Sequence, residues 1–487
     1  MTVNELSAYV AGHALVATAT DRAVENIRID SRTVRPGDAY VAIPGNRWHG
    51  MDFENEAARA GAVVIISDRP STVLPSVLVD DPRQVIGPLC AWFYGTSPND
   101  PRVFGVTGTN GKTSTAHFLE AGLSAAGETA GLISGTHIRG PGCDWVPERT
   151  TPEATTLHQT LAAFRQSGVT ACAMEVSSHA IDQRRIGGIT YRVMAFTNLA
   201  PDHLDYHGTI ENYYATKASM FESERTDIAV VNVADTYGRR LAAASGAPVW
   251  TCGSQNPAAD VYADNIICDA SGSRFDVHSP AGRVGMRLQT MGAFQVENAL
   301  TALTALIADG VDLGSAAEGM SSLPAIAGRC QPVHAGQTFT AVVDYMHNTA
   351  GQRALLPYLR SLTDGRIIVV AGATGGRDPN KRRPLGAYAG THADVVIVTD
   401  ESPEDEDPAA IRSAVLSGAR QARHARVIEE PDRRTAIDRA VTLAGPADAV
   451  VVAGRGSDPI QRFGARTVPF DDHAQLWQAI AATMCVR

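Results

Sequence analysis

The segment Thr107-Gly108-Thr109-Asn110-Gly111-Lys112-Thr113 combines the residue types that grip the phosphates of a nucleotide. Glycine lets backbone N–H groups approach phosphate oxygens, a lysine ammonium reaches the β- and γ-phosphates, and a threonine hydroxyl can hold Mg²⁺. An apolar run, Val103 to Val106, precedes the segment, and a helical pattern through Lys112, Thr113 and Ser114 follows it. The loop is therefore predicted between a strand and a helix, where the helix N-terminus adds partial positive charge. Val106 stands where the general pattern G-x-x-x-x-G-K-[ST] has its first glycine, so the loop belongs to a subtype of that pattern.

Two clusters downstream offer further chemistry. Met174-Glu175-Val176-Ser177-Ser178-His179 places a carboxylate, hydroxyls and an imidazole at a predicted strand end, where open α/β sheets hold their ligands. Glu175 is thus a candidate Mg²⁺ ligand, although the cluster taken alone reads equally as strand-end capping. Asn198-Leu199-Ala200-Pro201-Asp202-His203-Leu204-Asp205-Tyr206-His207 also follows a strand, and its side chains can serve a metal, a phosphate or simply a turn. Lys217, in Tyr213-Tyr214-Ala215-Thr216-Lys217-Ala218, reads by itself as an ordinary exposed helical lysine.

Positioning these groups requires more than one core. A chain of 487 residues suggests about three domains. Hydrophobic residues make up 44% and charged residues 19%, enough apolar material for buried parallel strands and too little charge for a disordered chain. The net charge of -10 argues against a general nucleic-acid or anionic-membrane binder. Seven scattered cysteines without a C-x-x-C pair fit a reducing compartment better than a disulfide framework. The start, Met1-Thr2-Val3-Asn4-Glu5, lacks a basic-then-apolar leader, so the expected location is the cytoplasm and the expected state a monomer. A polar stretch, Ser97-Pro98-Asn99-Asp100-Pro101, and a break between Pro324 and Val333 divide the chain into 1–98, 99–330 and 331–487. Short apolar runs alternate with helical patterns throughout. They predict a small N-terminal α/β domain, a central doubly wound parallel sheet carrying the P-loop, and a C-terminal Rossmann-like α/β domain. Strands are expected at Ala39–Ile43, Thr170–Val176, Val193–Thr197, Ile228–Asn232, Thr340–Tyr345, Arg366–Ala371, Val395–Thr399 and Ala449–Ala453, with a helix at Gln295–Ile307.

Together these segments resemble the Mur ligases, particularly the E-type enzymes, from Asp30-Ser31-Arg32 to Ala453-Gly454-Arg455-Gly456. The resemblance implies an ATP-dependent ligase that activates a UDP-muramoyl peptide carboxylate as an acyl phosphate and joins it to an amino acid. It assigns Ser31 and Arg32 to the uridine side, and Thr150, Thr151, Ser177, Gln183 and Arg185 to the acceptor. ATP falls to Gly108, Thr109, Asn110, Gly111, Lys112, Thr113, Ser114, Asn298, Arg329, Asp344 and His347. Mg²⁺ falls to Thr113 and Glu175 at one position and to His203 and Lys217 at another. Lys112, His203 and Lys217 form the catalytic set, with Lys217 carbamylated.

The third domain departs from the family pattern. Arg377 keeps the arginine that takes the amino acid's α-carboxylate. Diaminopimelate-adding members carry Asp-Asn-Pro-Arg where this chain has Glu401-Ser402-Pro403-Glu404, and Gly-Lys-Gly-His-Glu where it has Gly454-Arg455-Gly456-Ser457-Asp458. Glu404 would repel a distal carboxylate. The expected substrate is therefore a basic L-amino acid such as lysine or ornithine rather than meso-diaminopimelate. Two alternatives stand beside it: a ligase of a specialised pathway, and a nucleotide-binding homologue without catalysis. Glu404 to Asp407 also reads as a solvated acidic helix start.

Overall fold

The computed structural model describes every residue except 11–13, 18–19, 46, 99 and 487, and the backbone alone of 14–17 and 485–486. Asn99 of the expected linker thus lies outside the described residues. The chain is an α/β protein whose parts gather into two compact units. One comprises Met1–Gly105, Thr129–Arg192 and Ser223–Asp227, and the other Val106–Glu128, Val193–Glu222 and Ile228–Arg487.

In the first unit, β-branched runs form a five-stranded sheet ordered Ala14–Ala17, Ser76–Val79, Val64–Ser67, Ala39–Val41, Ile27–Arg28. Alternation decides which side chain faces which layer. Val64 and Ile66 pack with Leu6, Ile86 and Leu89 on one face, while Ile65 joins Tyr40 and Ala57 on the other. The same unit holds the strand Ala171–Glu175, paired in parallel with Ala130–Ile133 and extended by antiparallel Ile138–Gly140 and Cys143–Trp145.

The second unit carries the helix Lys112–Ala125 that follows the phosphate loop and the helix Phe294–Ala308. Its strand Val249–Ser254 runs parallel to Thr226–Asn232, and Gly272–Ser279 and Gly282–Leu288 then add antiparallel hairpins. In each unit parallel pairs of the kind expected for a doubly wound sheet are therefore extended by antiparallel strands. A six-stranded sheet follows, in the order Gln331–Pro332, Thr340–Asp344, Ala449–Ala453, Ile367–Ala371, Val395–Val398, Arg426–Glu429, parallel except for its first strand. Val369 and Val451 face one layer of helices and Ile368, Val370 and Val452 the other, as expected for parallel strands buried on both sides.

Candidate functional site

The phosphate loop is shaped by two glycines. Gly108 has φ +146° and a Cβ there would meet Thr197 Oγ1 at 2.0 Å; Gly111 has φ +89° and a Cβ would meet Asn298 Oδ1 at 2.2 Å. No side chain larger than hydrogen fits either place. The segment after the strand Tyr191–Phe196 clamps the loop: the Thr197 hydroxyl donates to the Asn110 carbonyl at 2.6 Å, and the Asn110 N–H donates to Asn198 Oδ1 at 3.0 Å. The helix Lys112–Ala125 carries no side-chain cap at Gly111, so its N-terminal N–H groups face the loop's concavity with nothing on the cap residue to satisfy them.

Two lysines converge on one carbonyl. Lys112 Nζ donates to the oxygens of Gly108 (3.0 Å) and Thr109 (2.8 Å), and Lys217 Nζ donates to the same Gly108 oxygen at 2.9 Å and to Thr107 Oγ1 at 3.3 Å. Lys217 is fully buried, contrary to the reading of its segment alone. The helix Ile210–Ala218 turns Tyr213, Tyr214 and Lys217 inward, and the Lys217 ammonium sits 4.7 Å over the Tyr213 ring. Burial, reinforced by the charge of Lys112, pushes the Lys217 amine well below the ordinary lysine range. His203 stands edge-on to the same Tyr213 ring, with ring centroids 6.3 Å apart. Its backbone is left-handed, with φ +54°.

From the six-stranded domain, Arg329 NH2 donates to Thr113 Oγ1 at 2.9 Å, and its guanidinium lies 4.5 Å over the Tyr345 ring. Asp344 accepts the N–H groups of Cys330 (2.6 Å) and Met346 (2.7 Å) at the end of its strand, and burial raises its carboxyl. His347 Nε2 lies 3.2 Å from Asp202 Oδ2. In the sequence Asp202 stands among turn formers next to His203, in a cluster able to serve a metal, a phosphate or a turn, and nothing there points to His347 as its partner.

In the first unit, Ser31 is buried within the 3-10 turn Ser31–Thr33, and exposed Arg32 pairs with Asp30 at 2.6 Å. Thr151 is fully buried: its hydroxyl donates to the Glu175 carbonyl at 2.8 Å and accepts the Ser177 N–H at 3.0 Å. Arg185 donates to the Thr151 carbonyl at 3.2 Å and to Gln183 Oε1 at 2.5 Å, and pairs with Glu153 at 3.3 Å. Glu175 Oε1 accepts the Gly135 N–H at 2.8 Å, and Thr150 lies beside Gly135. Five expected acceptor residues and Glu175 therefore form one neighbourhood, which also includes Glu153.

The remaining expected residues lie on the strand-end loops of the six-stranded domain. Arg377 is exposed on the loop after Ile367–Ala371. Glu401 accepts from the Thr374 hydroxyl, and its Oε2 lies 2.4 Å from where a Cβ of Gly454 would stand. Ser402 Oγ accepts from Arg455 NH1 and from the Arg462 N–H, each at 3.3 Å. The Asp458 carbonyl accepts from Arg455 NH2 at 2.8 Å. The N–H of Glu404 donates to the Arg462 carbonyl at 3.1 Å, and its carboxylate lies 3.7 Å from the Arg462 guanidinium.

A glycine-shaped loop at a helix N-terminus with converging lysines defines an α/β enzyme that works on nucleotide phosphates. Three family profiles cover the chain: "Mur ligase family, catalytic domain" over residues 23–89, "Mur ligase middle domain" over 106–306, and "Mur ligase, glutamate ligase domain" over 328–456. The UDP-N-acetylmuramoyl-L-alanyl-D-glutamate--2,6-diaminopimelate ligase of Streptomyces coelicolor is 41% identical, covering 94% of this chain and 93% of that protein. The enzyme of the same name from Corynebacterium efficiens is 40% identical, covering 99% and 95%. A solved diaminopimelate ligase of that name superposes with a TM-score of 0.66 at 27% identity over 99% of both chains. The MurF ligase of Thermotoga maritima, solved with ADP, shares the fold, with a TM-score of 0.67 at 18% identity over 96% of this chain and 100% of that one. The chain belongs to the Mur ligase family, and it is an ATP-dependent, ADP-forming amide ligase with a three-domain α/β fold.

These relatives overturn the expectation of a basic amino acid in preference to diaminopimelate. The physical error lay in reading Glu404 as an isolated charge. Arg462, distant in sequence, stands beside it, and Arg382 holds Glu406 through two contacts of 2.8 Å. Two of the run's four carboxylates, Glu404 and Glu406, thus stand beside an arginine rather than alone.

Proposed function

We propose that this chain joins 2,6-diaminopimelate to the terminal carboxylate of UDP-N-acetylmuramoyl-L-alanyl-D-glutamate, a step of peptidoglycan precursor synthesis, with domains at 1–98, 99–330 and 331–487. Near end-to-end identity of 41% to a protein of that name carries the reading. The acceptor's carboxylate oxygen attacks the γ-phosphorus of ATP, giving an acyl phosphate and ADP; the amine nitrogen then attacks the acyl carbon, loses a proton and expels phosphate. Lys112 stabilises the transferring group's charge, and the N–H groups at the N-terminus of its helix bind the remaining phosphate oxygens. Thr151, Gln183 and Arg185 hold the acceptor, Ser31 and Arg32 the uridine end, Asn298 the adenine side, and Arg377 the amino acid's α-carboxylate.

Lys217 takes part as a carbamate in this reading. A fully buried amine held well below its ordinary range gives up its proton more readily than a free lysine, which favours addition of its lone pair to CO₂ with loss of a proton. The product is an anion beside the Lys112 ammonium, so the unlike charges attract where a protonated Lys217 would be repelled. Among the described residues no group of three or more His, Cys, Asp or Glu could hold a metal. A carbamylated Lys217 with His203 would suit one Mg²⁺, and Thr113 would offer a hydroxyl to another, since Mg²⁺ takes few protein ligands and completes its shell with phosphate and water. When bound, Mg²⁺ neutralises phosphate charge. Arg462 supports a substrate with a second carboxylate, since it offers a half-exposed guanidinium beside Glu404.

Phosphate release and product mass, measured with ATP, UDP-muramoyl dipeptide and diaminopimelate, lysine or ornithine in turn, test the reading. Turnover with diaminopimelate is expected; use of lysine or ornithine alone would overturn it. No helix of the described chain is long and apolar enough to cross a membrane.

A further inference from the structure

Asp202 is buried, and its carboxylate gathers groups from separate loops. Oδ1 accepts the N–H of His203 at 3.0 Å, and Oδ2 faces His347 Nε2 at 3.2 Å and Asn348 Nδ2 at 2.9 Å. Lys381 Nζ lies 4.0 Å from Oδ1. Asn348 also caps the helix Thr349–Leu362 through the Gly351 N–H at 2.8 Å, and its Nδ2 reaches Asn110 Oδ1 of the phosphate loop at 3.3 Å. Lys381 ends the 3-10 turn Pro379–Lys381, four residues beyond Arg377. One carboxylate therefore ties two loops of the six-stranded domain to the phosphate loop and to His203.

From this convergence we infer that Asp202 is a positioning residue, which through Lys381 holds the loop that follows Arg377 beside the His347–Asn348 loop and the phosphate loop for the amine-transfer half of the reaction. The assignment rests on the reading given under Proposed function. The phosphate loop has its own clamp in Thr197 and Asn198, and His203 meets the carboxylate through its backbone N–H while its Nε2 stands 4.0 Å away, so loss of Asp202 should fall less on acyl phosphate formation than on the amine step. The incoming amine depends on it more: its loops reach the phosphate side through His347, Asn348 and Lys381, and small misplacements of a nucleophile are costly.

The two halves can be measured apart. Hydroxylamine nitrogen attacks the acyl carbon of the acyl phosphate and expels phosphate, giving a hydroxamate without any bound amino acid. In Asp202→Ala, hydroxamate formation with ATP and UDP-muramoyl dipeptide is expected within about threefold of the parent, while KM for diaminopimelate rises roughly tenfold or more. Asp202→Asn keeps an acceptor for the His203 N–H and should fall between the two. Lys381→Met, which leaves the carboxylate in place, should raise KM a few-fold with hydroxamate unchanged, and it carries the test should Asp202→Ala fail to fold. A parallel fall of hydroxamate and amide would place Asp202 on the phosphate side instead, and an unchanged KM in Asp202→Ala and Lys381→Met would dismiss it. If the parent forms hydroxamate but no diaminopimelate amide, the substrate reading fails, and the same ratio is read with whichever amine of the panel it does use.

Discussion

The phosphate loop and the Glu401-Ser402-Pro403-Glu404 segment both sit at strand ends and both mix small with charged residues, yet they are held by different means. The phosphate loop is braced by its own backbone and by Thr197 and Asn198 just after one strand, and Lys112 and Lys217 lie against its carbonyls. The second segment depends on partners far along the chain: Arg462 and Arg455 at Ser402, Arg462 at Glu404, and Arg382 at Glu406. A site built on backbone geometry announces itself as a motif. A site built on charge pairs does not, because each charge has meaning only beside its partner.

Removing the lysine of the backbone-built site should have the largest effect. Lys112→Ala should lower phosphate release by about a thousandfold, since a cation lost from a developing phosphoryl charge costs several kcal/mol, while the melting temperature stays close to that of the parent. Near-normal turnover would show that the loop does not handle ATP. Lys217→Ala should likewise lose almost all turnover and regain part of it with added short carboxylic acids. Failure of every such acid to restore activity would speak against the carbamate.

The charge-built side should show its dependence in stability. Arg433 and Asp472 form a pair with both side chains at 0% exposure, and Arg455 of the Gly454-to-Asp458 loop, 1% exposed, approaches the same carboxylate at 3.6 Å. Asp472→Ala should cost about 3–5 kcal/mol in denaturant unfolding, because it strands two buried guanidinium groups. A loss below about 1 kcal/mol would mean that the pair is dispensable. The smallest effect belongs to the rim: Arg462→Ala should raise KM for diaminopimelate by roughly tenfold, about 1.4 kcal/mol, with kcat little changed, and Glu404→Gln should lower it. Equal KM in both variants would remove this pair from substrate recognition.

Local pattern made much of the architecture legible. The strands predicted at Ala39–Ile43, Thr340–Tyr345, Val395–Thr399 and Ala449–Ala453 occur within two residues of their expected ends, as does the helix Phe294–Ala308. The antiparallel hairpins after Val249–Ser254 went unread, because Gly272–Ser279 and Gly282–Leu288 carry polar residues on one face and lack a continuous apolar run. Lys217 looked exposed because helical spacing gives the face a residue lies on but not what covers that face.

The order of residues by itself determined the phosphate loop, since Gly108 and Gly111 adopt backbone angles that other residues resist, and Lys112 and Thr113 follow at fixed chain distance. It also determined the alternating apolar strands, whose period of two dictates burial without reference to distant partners. Tertiary structure alone decided the charge of the sites. It placed Arg462 beside Glu404, Arg382 beside Glu406, Lys112 beside Lys217, and His347, Asn348 and Lys381 around Asp202. Electrostatic energy depends on distance through space and on burial, and neither quantity is written along the chain.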